Sequence, residues 1–229
     1  MTSATVIQPM VDLWLWPLQA TSAEREAWHE TLSDEERLRA ARFVFPIHAE
    51  RFTVAHGRMR EVLGRVLDND PASLQFAVNA YGKPELTEFD LHFSLSHSGD
   101  WAALAVAAFP LGVDIEVIRP VERELPERFF SPVECQGLRV LPDPIWSPAF
   151  FRCWTRKEAV VKTLGLGLSF PLEDFDVSFL EGDPPQLMRL EGDAEAKRIW
   201  HLHHFDVAAD CVGAIAARRT GWQVTTRTL

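Results

Sequence analysis

The sequence predicts an α+β protein built as two halves, and three observations carry that reading. Apolar periodicity alternates between strand and helix spacing in the order strand, helices, strands, then helices, strands. The segment Pro110-Leu111-Gly112 breaks that order near its middle, which sets expected halves of 1–110 and 111–229. Just beyond the break, Gly112-Val113-Asp114-Ile115-Glu116 alternates apolar with acidic residues, as a strand with one wet and one dry face does.

The elements follow in chain order. Val11 to Leu18 alternates as a first strand, stopped at Pro17. Thr21-Ser22-Ala23-Glu24 and Ser33-Asp34-Glu35-Glu36 are helix starts, each a hydroxyl cap followed three residues later by Glu. The second of these helices should run through Arg42. Pro46 interrupts, and a longer helix from His48 to Leu67 follows, with Phe52, Ala55, Met59, Val62, Leu63 and Val66 at helical spacing. Leu74 to Ala80 and His92 to Ser96 read as strands, with a tight turn at Tyr81-Gly82-Lys83-Pro84. Trp101 to Phe109 is strand-like and rich in small side chains, so it should pack closely on both sides. Trp101 to Glu116 then reads as one hairpin.

In the second half, Glu122 to Phe130 suggests a short helix, and Ser131-Pro132-Val133-Glu134 starts another. Leu141 to Pro148 carries three prolines and reads as a loop. Phe150 to Leu164 is a helix that is apolar nearly all round, ended by Gly165-Leu166-Gly167. Strands are expected at Phe175 to Phe179, Gln186 to Leu190, Ile199 to Phe205, Val212 to Ala217 and Trp222 to Thr226.

Composition narrows the function. The net charge of −10 argues against a nucleic-acid partner. Three cysteines, Cys135, Cys153 and Cys211, are widely spaced and form no CxxC pair, which argues against a disulfide framework and for a reducing compartment. Met1 to Asp12 lacks the basic and apolar regions of a secretory signal, and no apolar run is long enough to span a bilayer. The expectation is a cytoplasmic protein without a membrane partner.

The chemistry gathers on a few residues. Asp114 and Glu116 share one strand face and repel each other unless a cation lies between them. Trp154, Glu158 and Lys162 are four apart and share one face of an apolar helix, where a buried carboxylate needs a partner. Asp114, Glu116 and Glu158 are hard oxygen donors with no cysteine or histidine at zinc spacing, so they select magnesium, manganese or calcium over zinc, with magnesium first and manganese next. Lys162 and His97 suit a phosphate. A magnesium-assisted reaction at a phosphate or pyrophosphate is the expectation.

Three motifs then carry a resemblance: Phe93-Ser94-Leu95-Ser96-His97-Ser98, Gly112-Val113-Asp114-Ile115-Glu116, and Trp154-Thr155-Arg156-Lys157-Glu158-Ala159-Val160-Val161-Lys162. In order and spacing the chain resembles a 4′-phosphopantetheinyl transferase of the surfactin-synthetase-activating type, from about Leu32 to about Ala217. The resemblance implies two similar α+β halves related by a pseudo-twofold, with the active site in the cleft between them. It implies transfer of phosphopantetheine from the co-substrate coenzyme A to a serine of an apo acyl or peptidyl carrier protein, with release of adenosine 3′,5′-bisphosphate by a monomer. It makes Asp114, Glu116 and Glu158 the magnesium ligands. Ser96, His97 and Asp114 fall at the coenzyme A phosphates, Lys162 at the pyrophosphate, Gly82 and Lys83 at the adenine and ribose, and Arg39 and Arg51 at further coenzyme A contacts. Glu36 stands where a well-known member has a lysine.

A serine hydroxyl needs a base. Glu158, a metal-bound water and Glu134 are the alternatives. Two other classes fit the residues less well. A hydrolase using Ser96 or Ser98 with His97 lacks a GxSxG elbow, and adjacent side chains on a strand point apart. A scaffold that binds coenzyme A or a carrier without turnover would not need the three acids and Lys162.

Overall fold

Three helices begin on one device. Thr21, Ser33 and Ser131 each accept the backbone N–H of the Glu three residues on, and each Glu carboxylate returns to the cap residue's own N–H. The first two boxes open α1 (Ser22–Thr31) and α2 (Asp34–Ala41), behind strand β1 (Met10–Pro17). The computed structural model describes residues 8–229. The expected absence of a leader concerns in part residues 1–7, which lie outside the described residues.

Helix α3 spans Pro46–Leu67. It starts two residues before the expected His48, because a proline at the first helical position loses only an N–H that had no partner there. Strands β2 (Phe76–Val78) and β3 (Pro84–Leu86) flank the predicted turn, and β4 (His92–Ser98) and β5 (Trp101–Ala107) form a true hairpin through Gly99. Strand β6 (Gly112–Val117) comes next, followed by α4 (Pro132–Arg139) and α5 (Asp143–Leu164). Strands β7 (Phe175–Val177), β8 (Leu187–Leu190), β9 (His201–Ala208), β10 (Cys211–Ala217) and β11 (Gln223–Thr228) complete the α+β chain.

Two sheets matter for the site. One has the order β11-β1-β5-β4, the other β6-β10-β9. The expected hairpin from Trp101 to Glu116 is therefore wrong: β5 pairs with β4 and β1, while β6 pairs with β10. The sheets are joined by side chains instead. The N–H groups of Val113, Ile115 and Val117 donate to the hydroxyls of Ser94, Ser96 and Ser98 at 3.0, 3.3 and 3.1 Å. The serines thus satisfy the unpaired edge of β6, which would otherwise be open to a foreign strand.

The small residues of β5 are used on both faces. Ala103, Ala105 and Ala107 pack with Val113, Ile115 and Ile215 between the sheets, while Ala102, Leu104 and Val106 pack against α3. Helix α5 covers the other face of the second sheet, with Ala214 and Ala216 in its core. The layers run helix, sheet, sheet, helix.

The proline-rich stretch Leu141 to Pro148 is also corrected, since α5 begins at Asp143. Pro144 sits in the first turn without cost, but Pro148 lies inside the helix and forfeits a hydrogen bond. Burial offsets that loss. Trp146 stacks on Phe150 at 5.5 Å and 9°, and both are buried. The expected helix at Glu122 to Phe130 is only a 3₁₀ turn at Leu125–Arg128. The last strand, β11, returns to run parallel with β1 in the first sheet. Among the described residues, no helix is long and apolar enough to cross a membrane.

Candidate active site

Strands β4 and β6 and helix α5 meet at a cleft of about 340 Å³ lined by Ser96, His97, Asp114, Glu116, Trp154, Glu158 and Lys162, with Leu95 and Ile115. Strand alternation delivers Asp114 and Glu116 from one face of β6, and the helical four-residue spacing delivers Trp154, Glu158 and Lys162 from one face of α5. Gly112 makes the approach possible. A Cβ there would lie 2.2 Å from the Ala159 carbonyl oxygen and 2.6 Å from the Thr163 nitrogen, so only glycine lets β6 lie on the α5 backbone.

The polar groups are tightly shared. Lys162 Nζ donates to Asp114 Oδ1 at 2.7 Å and to Ser96 Oγ at 3.0 Å. Ser96 Oγ donates in turn to Asp114 Oδ1 at 2.9 Å. Ser98 Oγ donates to Glu116 Oε2 at 2.6 Å, and Arg119 reaches the same oxygen at 3.2 Å. Burial raises the Asp114 carboxyl above its ordinary value, against the opposing pull of Lys162. Burial, with the charges of Asp114 and Glu116, raises Glu158 to about 7, with Lys162 opposing.

The acids converge on one cavity, yet among the described residues no three acidic, histidine or cysteine side chains are close enough to hold a metal as they stand. Asp114 and Glu116 each spend an oxygen on protein donors instead. The donor set still fits a hard divalent cation. Asp114 Oδ2 and Glu158 Oε1 are buried without any hydrogen-bond partner, an arrangement that a cation would relieve.

A cationic rim continues from the cleft. His97 is exposed, but packing around its ring, then the charges of His56, Lys162, Arg39 and Arg51, hold its pKa below the usual histidine value. Arg51 is paired with Asp100. A second cavity of about 320 Å³ is lined by Arg39, Glu36, Phe52, His56, Arg60 and Gly82, among others. The Arg39 guanidinium lies 5.4 Å from the Phe52 ring centroid, and Phe52 stacks on His56 at 3.9 Å.

His56 is the residue that sequence reasoning missed. The available signal was its position four residues after Phe52, on the same face of α3. Its Nδ1 is 3.0 Å from Glu36 Oε1, and Arg60 Nε donates to Glu36 Oε2 at 2.7 Å. Burial alone would raise Glu36, but hydrogen bonds from His56 and the Ser33 N–H and the charge of Arg60 bring it to about 2.

Two predicted site residues lie elsewhere. Glu134 is 1 % exposed and takes no part in the cleft, which corrects its candidacy as the base. Its carboxylate pairs with the buried Lys157 at 2.8 Å and accepts from the Ser131 and Val177 N–H groups, so it has no accessible oxygen to offer a substrate. Lys83 points inward: Nζ donates to the carbonyls of Leu111 and Lys162 at 3.1 and 2.7 Å. Val78, Gly82 (φ 86°) and Pro84, around that turn, line the second cavity.

Comparison with known proteins shows the family. A model described as the 4′-phosphopantetheinyl transferase superfamily matches residues 110–219, and one described as 4′-phosphopantetheinyl transferase, N-terminal, matches residues 16–109. The chain is 36 % identical to the 4′-phosphopantetheinyl transferase HetI of Nostoc sp., over 96 % of this chain and 92 % of that protein. It is 34 % identical to psf-1 of Bacillus pumilus, over 85 % of this chain and 84 % of the relative. It is also 34 % identical to Sfp of Bacillus subtilis, over 67 % and 69 % respectively.

Proposed function

The chain belongs to the 4′-phosphopantetheinyl transferase superfamily and is a transferase enzyme, and from that premise we propose that it moves phosphopantetheine from coenzyme A to a serine hydroxyl of an apo carrier protein. The observation that carries this reading is the convergence of Asp114, Glu116, Glu158, Lys162 and His97 on one cleft, with a carboxylate oxygen of Asp114 and one of Glu158 unpaired. The cleft lies between 1–110 and 111–229, which we take as two related halves. Both walls come from one chain, so a monomer suffices. Three free cysteines support a cytoplasmic setting.

Asp114, Glu116 and Glu158 would hold magnesium or manganese, which supplies charge neutralisation at a diphosphate when bound. The remaining roles belong to side chains. Lys162 and His97 bind the diphosphate, with Ser96 holding Lys162 in line. Arg39, Arg51 and the backbone at Gly82 hold the nucleotide end. Glu158 accepts the serine proton. The serine oxygen forms a bond to the phosphorus that carries pantetheine. The bridging P–O bond breaks, and its electron pair leaves on adenosine 3′,5′-bisphosphate, whose charge Lys162 stabilises.

Mass spectrometry of apo carrier proteins incubated with the enzyme, coenzyme A and magnesium tests the proposal. The expected result is a gain of one phosphopantetheine on a single serine. Coenzyme A binding without any modified carrier would overturn it in favour of a scaffold.

A further inference from the structure

Lys83 does something that contact with a nucleotide does not require. The carbonyl of Lys162 lies in the last turn of α5, where helix carbonyls have no intrahelical partner. The Lys83 ammonium fills that vacancy from the first half of the chain, at the negative end of the helix dipole. The same ammonium donates to the carbonyl of Leu111, the residue before β6. One cation therefore ties together the two segments that carry Lys162 and Asp114.

The turn that presents Lys83 is itself fixed. Asn79 Oδ1 accepts the N–H groups of Tyr81 and Lys83 at 2.9 and 3.0 Å, and Asn79 Nδ2 donates to the Gly165 carbonyl at 2.9 Å. Gly165 ends α5 at φ 69°, and a Cβ there would sit 2.9 Å from Asn79 Nδ2. Turn and helix end interlock. The opposite side of the turn, at Val78, Gly82 and Pro84, lines the second cavity.

We propose that Lys83 is a positioning residue that sets the spacing of α5 against β6, so that the Lys162 ammonium faces Asp114 across the cleft. The proposal rests on the transferase reading for its kinetic consequence, but its structural consequence can be read without turnover. Asn79 supports the same clamp by holding the turn on the end of the helix.

The test uses the full chain with Lys83→Met, which keeps the stem and removes the charge, and with Asn79→Ala as a milder second variant. Coenzyme A affinity is read by calorimetry and transfer to an apo carrier by steady-state kinetics. Lys162 reactivity toward an amine-directed active ester is mapped by mass spectrometry. In Lys83→Met, kcat should fall roughly tenfold or more, as for a misplaced catalytic group. The dissociation constant and KM for coenzyme A should change by less than kcat, since Lys83 itself touches no ligand and acts only through the placement of Lys162. Lys162 should become several times more reactive, with Asn79→Ala shifting kcat and reactivity in the same direction by less. A raised KM and dissociation constant with kcat intact would make Lys83 a ligand contact and overturn the proposal. Unchanged Lys162 reactivity in folded Lys83→Met would overturn it too. If Lys83→Met does not fold, unchanged reactivity and kcat in Asn79→Ala serve as the disproof. A wild type that modifies no carrier would sink the transferase reading instead, and Lys162 reactivity would still judge Lys83.

Discussion

Lys162 Nζ lies 2.7 Å from Asp114 Oδ1, across 48 residues of chain and two elements that share no backbone hydrogen-bond ladder. Ser96 completes the triangle by accepting from the lysine and donating to the aspartate. The contact depends on the serine ladder between β4 and β6 and on the bare backbone of Gly112. The site is therefore a property of how the sheets and α5 are joined, and the predictions below probe that joining.

Glu158→Gln and Asp114→Asn should separate chemistry from stability. Both should lower transfer by about 10²–10³-fold, the range seen when one electrostatic partner of a transition state is removed. In chelator-treated buffer at pH 8, Glu158→Gln should raise the melting temperature, because it removes a carboxylate that burial and neighbouring acids disfavour in its charged form. Asp114→Asn should raise it by less, because removing the same kind of buried charge also takes from Lys162 the partner that offsets part of the cost. Differential scanning calorimetry beside the transfer assay checks both.

Gly112→Ala should be far more damaging than its single methyl suggests. The added carbon would strike the Ala159 carbonyl and the Thr163 nitrogen, which are helix backbone and cannot swing away. Overpacking of this kind costs about 1–3 kcal/mol, and it moves α5 off β6, so activity should fall with stability. Urea unfolding and steady-state kinetics measured together test this.

The Glu134–Lys157 pair should behave as core structure. Lys157→Met leaves a buried carboxylate uncompensated, and such breaks cost about 3–5 kcal/mol. Glu134→Gln combined with Lys157→Met, which removes both charges and keeps an oxygen for the Ser131 and Val177 N–H groups, should recover part of that loss in chemical denaturation, and the recovered protein should still transfer. Inactivity of a stable double variant would return Glu134 to the chemistry.

Glu36 supplies a pH dependence whose sign is fixed. Its folded pKa of about 2 lies below the ordinary 4.5, so the unfolded chain binds the proton more readily. The stabilisation is complete above about pH 4.5 and is lost as pH falls toward 2. Wild type should exceed Glu36→Gln by up to roughly 3 kcal/mol at pH 7, with most of that difference gone by pH 3. Urea titrations at the two pH values check it.

Local chemistry was readable in the sequence, and long-range pairing was not. The capping boxes at Thr21, Ser33 and Ser131, the alternation in β6 and the glycine stop at Gly165 each depend on a few neighbouring residues. Nothing near Gly112 says that β6 pairs with β10, because its free edge is answered by serines 19 residues earlier. The three prolines before Phe150 outvoted a helix start that depends on where Trp146 is buried. Among the site residues, Asp114, Glu116, Glu158, Lys162 and His97 were legible from residue type and spacing and Ser96 from the resemblance, and the cleft gathers them. The destinations of Glu134 and Lys83 were not, since a charged side chain in sequence carries no mark of whether it faces solvent or core.

The parallel pairing of β1 with β11 has a mechanical consequence. Force applied between Met10 and Thr228 pulls these neighbouring strands in opposite directions along their length. Their hydrogen bonds are then loaded together, in shear, rather than opened one at a time like a zipper. In a single-molecule pulling experiment the first sheet should resist extension from these ends and yield in one abrupt step.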